Sequence, residues 1–165
     1  MYSYRMVEKR KDLMIGGIIK KIEILLTAKS NRYLQKFNIT WSQAQILKYL
    51  AMHAKATNTK IGEPTDVFQK DLEEFFGLSN PTVTGLLNRL EAKELVKRDT
   101  FAQDRRWKRL ILTQKGFEIQ EKSFDGFVKM EEELLNTFSK DEKEVFVKYL
   151  NSLYESLAKE KNFTF

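Results

Sequence analysis

The 165-residue sequence contains no cysteine, which excludes disulfides, thiolate catalysis and thiol-based redox sensing by this chain. Its one histidine, His53, leaves no partner for a His-based metal site, and no HExxH pattern is present. There are only two prolines and seven glycines. With 42 % hydrophobic residues, that scarcity of breakers predicts a folded, helix-rich chain of one domain. No apolar run approaches the roughly 20 residues that a membrane-spanning helix needs, and residues 2–12 are too charged for a signal peptide. A cytoplasmic protein without membrane partners is the expectation. Neither a Gly-rich phosphate loop nor a nucleophile–base pair stands out, so no enzyme and no cofactor is expected.

Positive charge is present in excess and unevenly placed. The net charge is +6. Residues 1–36 hold nine basic and three acidic groups, residues 37–113 twelve and nine, and residues 114–165 eight and eleven. The C-terminal part is therefore a poor surface for nucleic acid. Between Lys97 and Arg109, six basic residues (Lys97, Arg98, Arg105, Arg106, Lys108, Arg109) meet only Asp99 and Asp104. The basic N-terminal segment reads either as a solvated helix face or as an added DNA contact.

Ile15, Ile18, Ile19, Ile22, Leu25, Leu26, Tyr33 and Leu34 recur at helical spacing and predict a helix over about 12–37. Gly16-Gly17 weakens its first turns, because glycine loses more backbone freedom on folding. Thr40 and Gln43 form a capping-box pattern ahead of a second helix that buries Ala44, Leu47, Leu50 and Ala51. The polar stretch 53–66, with Gly62 and Pro64, has few apolar residues and reads as a loop. Phe68, Leu72, Phe75 and Phe76 stripe a third helix over about 69–76, ended by Gly77. Only Leu78 and Ser79 separate it from the next helix, as a helix-turn-helix requires. After Thr113 two more helices are expected, broken near 138–140, where Ser139 and Glu142 repeat the capping box.

In the fourth helix Val83, Leu86, Leu87 and Leu90 stand at i, i+3, i+4 and i+7, which fixes the buried face. Pro81, Gly85 and Asn88 then lie opposite, with Thr82, Thr84 and Arg89 beside them. Asn80 suits the N-cap with Pro81 at the first helical position, and Ser79 is the competing cap. Ser79, Asn80, Pro81, Thr82, Thr84, Gly85, Asn88 and Arg89 are thus candidates to approach bases and phosphates. The alternative is plain cap residues on a surface helix. Leu95–Arg98 and Trp107–Leu112 read as strands around a turn at 100–106. Leu110 and Leu112 share a face with Lys108, so the second strand should be buried only toward its C-terminal end. Arg105 and Arg106 at the tip are too close together to serve a core. Arg98, Asp104, Arg105, Arg106 and Lys108 are the candidate wing contacts, while Trp107 either packs beside the hairpin or touches a DNA sugar. A helix able to lie in a major groove, followed by a basic hairpin able to reach the neighbouring groove, is the physical description of a winged helix-turn-helix.

The run from Ile39 to Gly116, about half the chain, resembles the MarR family of bacterial transcriptional regulators. Three parts carry the likeness: Ile39-Thr40-Trp41-Ser42-Gln43, Leu78-Ser79-Asn80-Pro81-Thr82-Val83-Thr84, and Asp104-Arg105-Arg106 followed by Leu112-Thr113 and Gly116. The resemblance implies a mainly α fold with a small β-hairpin. Residues 38–113 would form the winged helix-turn-helix lobe, and 1–37 with 114–165 the helical dimerisation part, of a single domain. It implies a homodimer on a pseudo-palindromic operator in double-stranded DNA, acting as a repressor and released by a small aromatic or phenolic effector. It also implies that Arg106 enters the minor groove, where narrow grooves concentrate negative potential, with Asp104 as its brace. An effector would lie between the dimerisation helices and the DNA-binding lobe. Phe37, Trp41 and His53 are the candidate lining residues, although core packing explains the first two equally well. Two features depart from the family pattern: Gly85 replaces a larger polar residue, which thins base readout, and the 53–67 linker is long.

The terminal helices carry more apolar surface than a small winged-helix core can bury. Phe124, Phe127, Leu134, Leu135 and Phe138 precede the break, and Val145, Phe146, Tyr149, Leu150, Leu153, Tyr154 and Leu157 follow it. A two-fold helical dimer is the expectation, and an intramolecular bundle is the alternative. The rival to DNA binding is a winged-helix interaction or structural module without specific DNA affinity. Steep salt dependence of duplex binding separates the two.

Overall fold

The computed structural model describes residues 14–101 and 107–159. These residues form α1 (Ile15–Leu34), a 3-10 turn (Gln35–Phe37), α2 (Trp41–Ala56), α3 (Gln69–Phe76), α4 (Asn80–Ala92), β1 (Val96–Thr100), β2 (Lys108–Leu112), α5 (Gln114–Leu135) and α6 (Lys140–Lys159). Packing divides the chain into two units, one ending at Phe124 and one beginning at Asp125.

The first unit is organised by the apolar faces that periodicity predicts. Leu34 of α1, Ile46, Leu47 and Leu50 of α2, Leu72 of α3, and Val83, Leu86, Leu87 and Leu90 of α4 are all buried, with Leu110 and Leu112 of β2. Reciprocal bonds open α2: the Gln43 N–H donates to Thr40 Oγ1 (3.4 Å) and the Thr40 N–H to Gln43 Oε1 (3.0 Å). Asp71 caps α3 by accepting from the Phe68 N–H at 2.7 Å, and Gly77, at φ 62°, supplies the left-handed residue that ends it. Ala51 is only half-buried, and Phe75 of the predicted α3 stripe is exposed. On α1 the apolar stripe is not covered either, since Ile15, Ile18, Ile19, Ile22 and Leu25 are all exposed.

The polar stretch after α2 departs from expectation. The helix continues through His53 to Ala56, whose neighbours favour a helix, so the connection begins at Thr57. That connection packs along β2. Gly62 N–H donates to the Leu112 carbonyl (3.0 Å), Thr65 N–H and Oγ1 to the Leu110 carbonyl (3.3 and 2.8 Å), and Leu110 N–H to the Val67 carbonyl (2.8 Å). Thr65 and Val67 are buried while Asp66 between them is exposed, which is the period of an extended chain with one face inward. A count of apolar residues misses this, because a β-branched threonine fills one of the two inward positions.

β1 and β2 pair antiparallel from Val96↔Leu112 to Thr100↔Lys108. β1 therefore runs two residues beyond the predicted Arg98, and β2 begins one residue after Trp107. Burial is confined to the C-terminal end of β2, with Lys108 exposed and Leu110 and Leu112 buried. At its far end the hairpin is locked to α5. Thr113 N–H donates to the Leu95 carbonyl (3.2 Å), and the Gly116 N–H donates to Thr113 Oγ1 (3.0 Å).

The second unit contains the end of α5, the turn after it and α6. Ser139 and Glu142 form the predicted capping pair: Ser139 N–H donates to Glu142 Oε2 (2.8 Å) and Glu142 N–H to Ser139 Oγ (3.4 Å). Hydrogen bonds from the Ser139 side chain, then its backbone, hold the Glu142 carboxyl below the ordinary carboxylate range. A carboxyl depressed in the folded state contributes stability above its unfolded pKa and loses it as pH falls through the folded value. Ser139→Ala should raise the Glu142 pKa toward the ordinary value in an NMR titration. An unmoved pKa would remove the Ser139 side chain as the leading cause. Phe138 stacks on Phe146 at 5.0 Å, yet α6 has no buried residue.

Candidate nucleic-acid interface

The N-terminus of α4 is set by a short turn after Gly77. Ser79, in extended backbone at φ −70° and ψ 151°, is the N-cap, so Asn80 is the first helical residue and Pro81 the second. This replaces the arrangement with Asn80 as cap. Neither side chain makes a capping bond. Ser79 Oγ instead lies 2.8 Å from Thr82 Oγ1, and Asn80 Nδ2 donates to Glu73 Oε1 at 2.7 Å. Gln69 Nε2 donates to Thr84 Oγ1 (2.8 Å) and approaches Glu73 Oε1 (2.9 Å). The four residues Gln69, Glu73, Asn80 and Thr84 thus tie α3 to the start of α4.

The outward face of α4 has Pro81, Thr82, Asn88 and Arg89 exposed, with Thr84 and Gly85 half-buried. A Cβ built on Gly85 would meet nothing within 4 Å. No packing among the described residues requires glycine there, although glycine in a helix interior costs about 1 kcal/mol against alanine. Its effect is to leave the middle of the face low.

Arg98 occupies a different position from the one its sequence context suggests. Its side chain is only 17 % exposed, and Nη1 donates to Glu91 Oε2 (2.6 Å) and to Asn88 Oδ1 (2.9 Å). It braces α4 rather than standing free on the wing. Lys108 is exposed. Together with Gln69, Lys70, Asn80, Thr84, Arg98 and Trp107 it lines a cleft of about 540 Å³ bounded by α3, α4 and the hairpin. Trp107 is exposed but edge-on to Phe68 at 5.8 Å, and Phe68 also meets Phe101 at 5.4 Å. Arg109 lies over Phe101 (5.3 Å), and its Nη2 donates to Asp99 Oδ2 at 3.3 Å. Arg98 Nη2 and Arg109 Nε are buried without a hydrogen-bond partner among the described residues. The wing-tip residues Asp104, Arg105 and Arg106 lie outside the described residues.

The three candidate effector-pocket residues do not come together. Phe37 is half-buried and edge-on to Tyr33 at 5.9 Å. Trp41 opens α2, its N–H donating to Asn31 Oδ1 at 2.7 Å. His53 is twelve residues further along α2, about 18 Å at 1.5 Å per residue. It lines instead an aromatic cleft of about 420 Å³ with Tyr49, Met52, Phe75 and Phe76. Burial, then the Asp71 charge, pushes the Tyr49 hydroxyl pKa up.

Sequence reasoning did not single out Gln69, Glu73 or Glu91. Gln69 and Glu73 are one helical turn apart on α3, and Glu91 is three residues after Asn88. Those spacings share a face, and they are the signal that could have found them. Among the described residues, no group of three or more acidic or histidine side chains could hold a metal ion. No described helix is long and apolar enough to cross a membrane.

A helix pair joined by the Gly77-Leu78-Ser79 turn, with a two-stranded hairpin directly after its second helix, defines a winged helix-turn-helix protein. The chain belongs to the MarR family. The MarR family profile matches residues 37–106, and the chain is 32 % identical over 122 residues to the uncharacterized HTH-type transcriptional regulator YwoH of Bacillus subtilis (strain 168). That match covers 74 % of this chain and 80 % of YwoH. Among solved structures, the Staphylococcus aureus MepR–DNA complex superposes with a TM-score of 0.73 at 30 % identity, covering 85 % of this chain and 95 % of MepR. The MarR crystal structure matches with the same score at 25 % identity, over 89 % of this chain and 92 % of MarR.

Proposed function

We propose that this chain is a sequence-specific double-stranded DNA-binding transcriptional regulator, a repressor that works in the cytoplasm as a homodimer on a pseudo-palindromic operator. The observation that carries this reading is the outward face of α4: polar, exposed, low at Gly85, and flanked by the basic hairpin. Groove binding needs close backbone approach together with hydroxyl and amide groups. The relation to MepR, solved in complex with DNA, supports the same reading. The uncovered apolar residues of α1 and α6 support the dimer. Recognition helices related by a two-fold axis would then address half-sites about one helical turn apart.

Release by a small aromatic or phenolic effector completes the proposal. Such a ligand must bind the DNA-competent and DNA-incompetent states unequally. Phe37, Trp41 and His53 are the lining candidates, with Phe37 and Trp41 near the start of α2 and His53 in a separate aromatic cleft near its end.

Salt titration of duplex binding is the test. On the family resemblance, Arg106→Ala removes one minor-groove cation from each subunit. Affinity should fall across most sequences, and the slope of log affinity against log salt should shrink by about one to two units. Asp104→Ala should do less, since it only loosens the arginine. If Arg106→Ala leaves both affinity and slope unchanged, the hairpin is not a DNA-reading wing. If the parent protein shows no salt-dependent duplex binding, the interaction-module reading takes its place.

A further inference from the structure

We infer that Arg98 is a positioning residue that turns the Asn88 amide oxygen toward the hairpin, so that Asn88 selects base edges rich in acceptors rather than adenine. The inference rests on the DNA-binding reading and specifies what its recognition helix prefers.

Asn88 lies on the exposed face of α4 and Arg98 on β1. Arg98 Nη1 is 2.9 Å from Asn88 Oδ1 and 2.6 Å from Glu91 Oε2. A guanidinium has only donors and the amide nitrogen is also a donor, so the oxygen must be the atom that faces Arg98. The Glu91 carboxylate holds the guanidinium in place through a charge-assisted bond, the stronger kind. The edge of Asn88 left for a partner is its NH2 group.

An asparagine that reads adenine uses both ends of its amide, accepting from N6 and donating to N7. Asn88 has its oxygen already committed to a cation. A second bond to that oxygen is weakened, because the first has drawn its electron density. The NH2 group is matched instead by guanine, which shows N7 and O6 acceptors, or by thymine O4. Adenine sets its own donor beside N7, which a second donor cannot answer. Arg98 also cannot serve as an ordinary phosphate contact while its charge is answered by Glu91. Its removal together with that of Glu91 should therefore change which base is chosen, not how steeply binding depends on salt.

The experiment selects bound duplexes from a random library with the full-length protein, Asn88→Ala, Arg98→Gln, and the charge-neutral double variant Glu91→Gln/Arg98→Met. Circular dichroism checks the fold of each. The position whose preference vanishes in Asn88→Ala identifies the base pair that Asn88 contacts. The parent protein should favour guanine or thymine over adenine there. Arg98→Gln and the double variant, with the amide free to turn, should reduce that discrimination at least about fivefold, a good side-chain–base pair being worth roughly 5- to 150-fold. Preferences elsewhere and the double variant's salt slope should be unchanged. Adenine at the Asn88-dependent position, no Asn88-dependent position at all, or Arg98 variants that change only overall affinity would each overturn the inference. Absence of any selected duplex with the parent protein would instead defeat the DNA-binding reading itself.

Discussion

Replacing Gly116 with alanine should lower the thermal midpoint by roughly 6–12 °C, through a loss of about 3 kcal/mol. An ideal Cβ at Gly116 would stand 2.2 Å from the Leu95 carbonyl oxygen and 2.9 Å from Leu112 Cδ1. The second neighbour is a side-chain methyl and can rotate away. The first is backbone, and its oxygen also accepts from the Thr113 N–H at 3.2 Å. Relieving the clash means lifting α5 from the end of β1, which breaks that bond and loosens the buried Leu95 and Leu112. Gly85→Ala provides the contrast. A Cβ there meets open space, so the better helix former should stabilise by up to about 1 kcal/mol. Thermal melts followed by circular dichroism measure both. Equal midpoints for Gly116→Ala and the parent would mean that α5 can retreat without cost.

In the proposed homodimer, the double substitution Leu150→Glu/Leu153→Glu should separate the protomers and leave a 19.5 kDa monomer by light scattering. It should also lower operator affinity roughly 10²- to 10⁴-fold. Both leucines are exposed on α6, in line with Phe146 and Leu157, and four carboxylates placed near a two-fold axis would repel across it. The affinity loss follows from losing the linked second half-site, because tethered sites gain this factor from effective concentration alone. Since neither residue is buried, the helical signal should persist. A variant that stays dimeric would place the interface elsewhere. One that becomes monomeric yet binds the full operator with parental affinity would contradict symmetric recognition.

Where an element announces itself through spacing, the sequence was sufficient. The four buried residues of α4, the Thr40–Gln43 and Ser139–Glu142 caps and the left-handed Gly77 all follow from local rules that depend on residues a few positions apart. The pairing of residues 62–68 with β2 was not legible, because the partner is more than forty residues away and the segment contains few apolar residues. The bracing of Arg98 was not legible for a related reason. A basic residue in a basic hairpin reads as a candidate wing contact, and its partner Glu91 lies on the preceding helix, seven residues earlier. Trp41 and His53 lie twelve residues apart on one helix, about 18 Å at 1.5 Å per residue, because α2 includes His53 instead of ending before it.

The segment after α2 has one more effect. A two-stranded hairpin has unpaired backbone groups along both outer sides, and such rows invite strand addition by other chains. On the β2 side, the Leu110 and Leu112 carbonyls and the Leu110 N–H are already taken by Gly62, Thr65 and Val67. On the β1 side Lys97 is exposed, whereas Arg98 and Asp99 are already engaged with Glu91 and Arg109. The segment after α2 thus closes one of the two edges at which another strand could add.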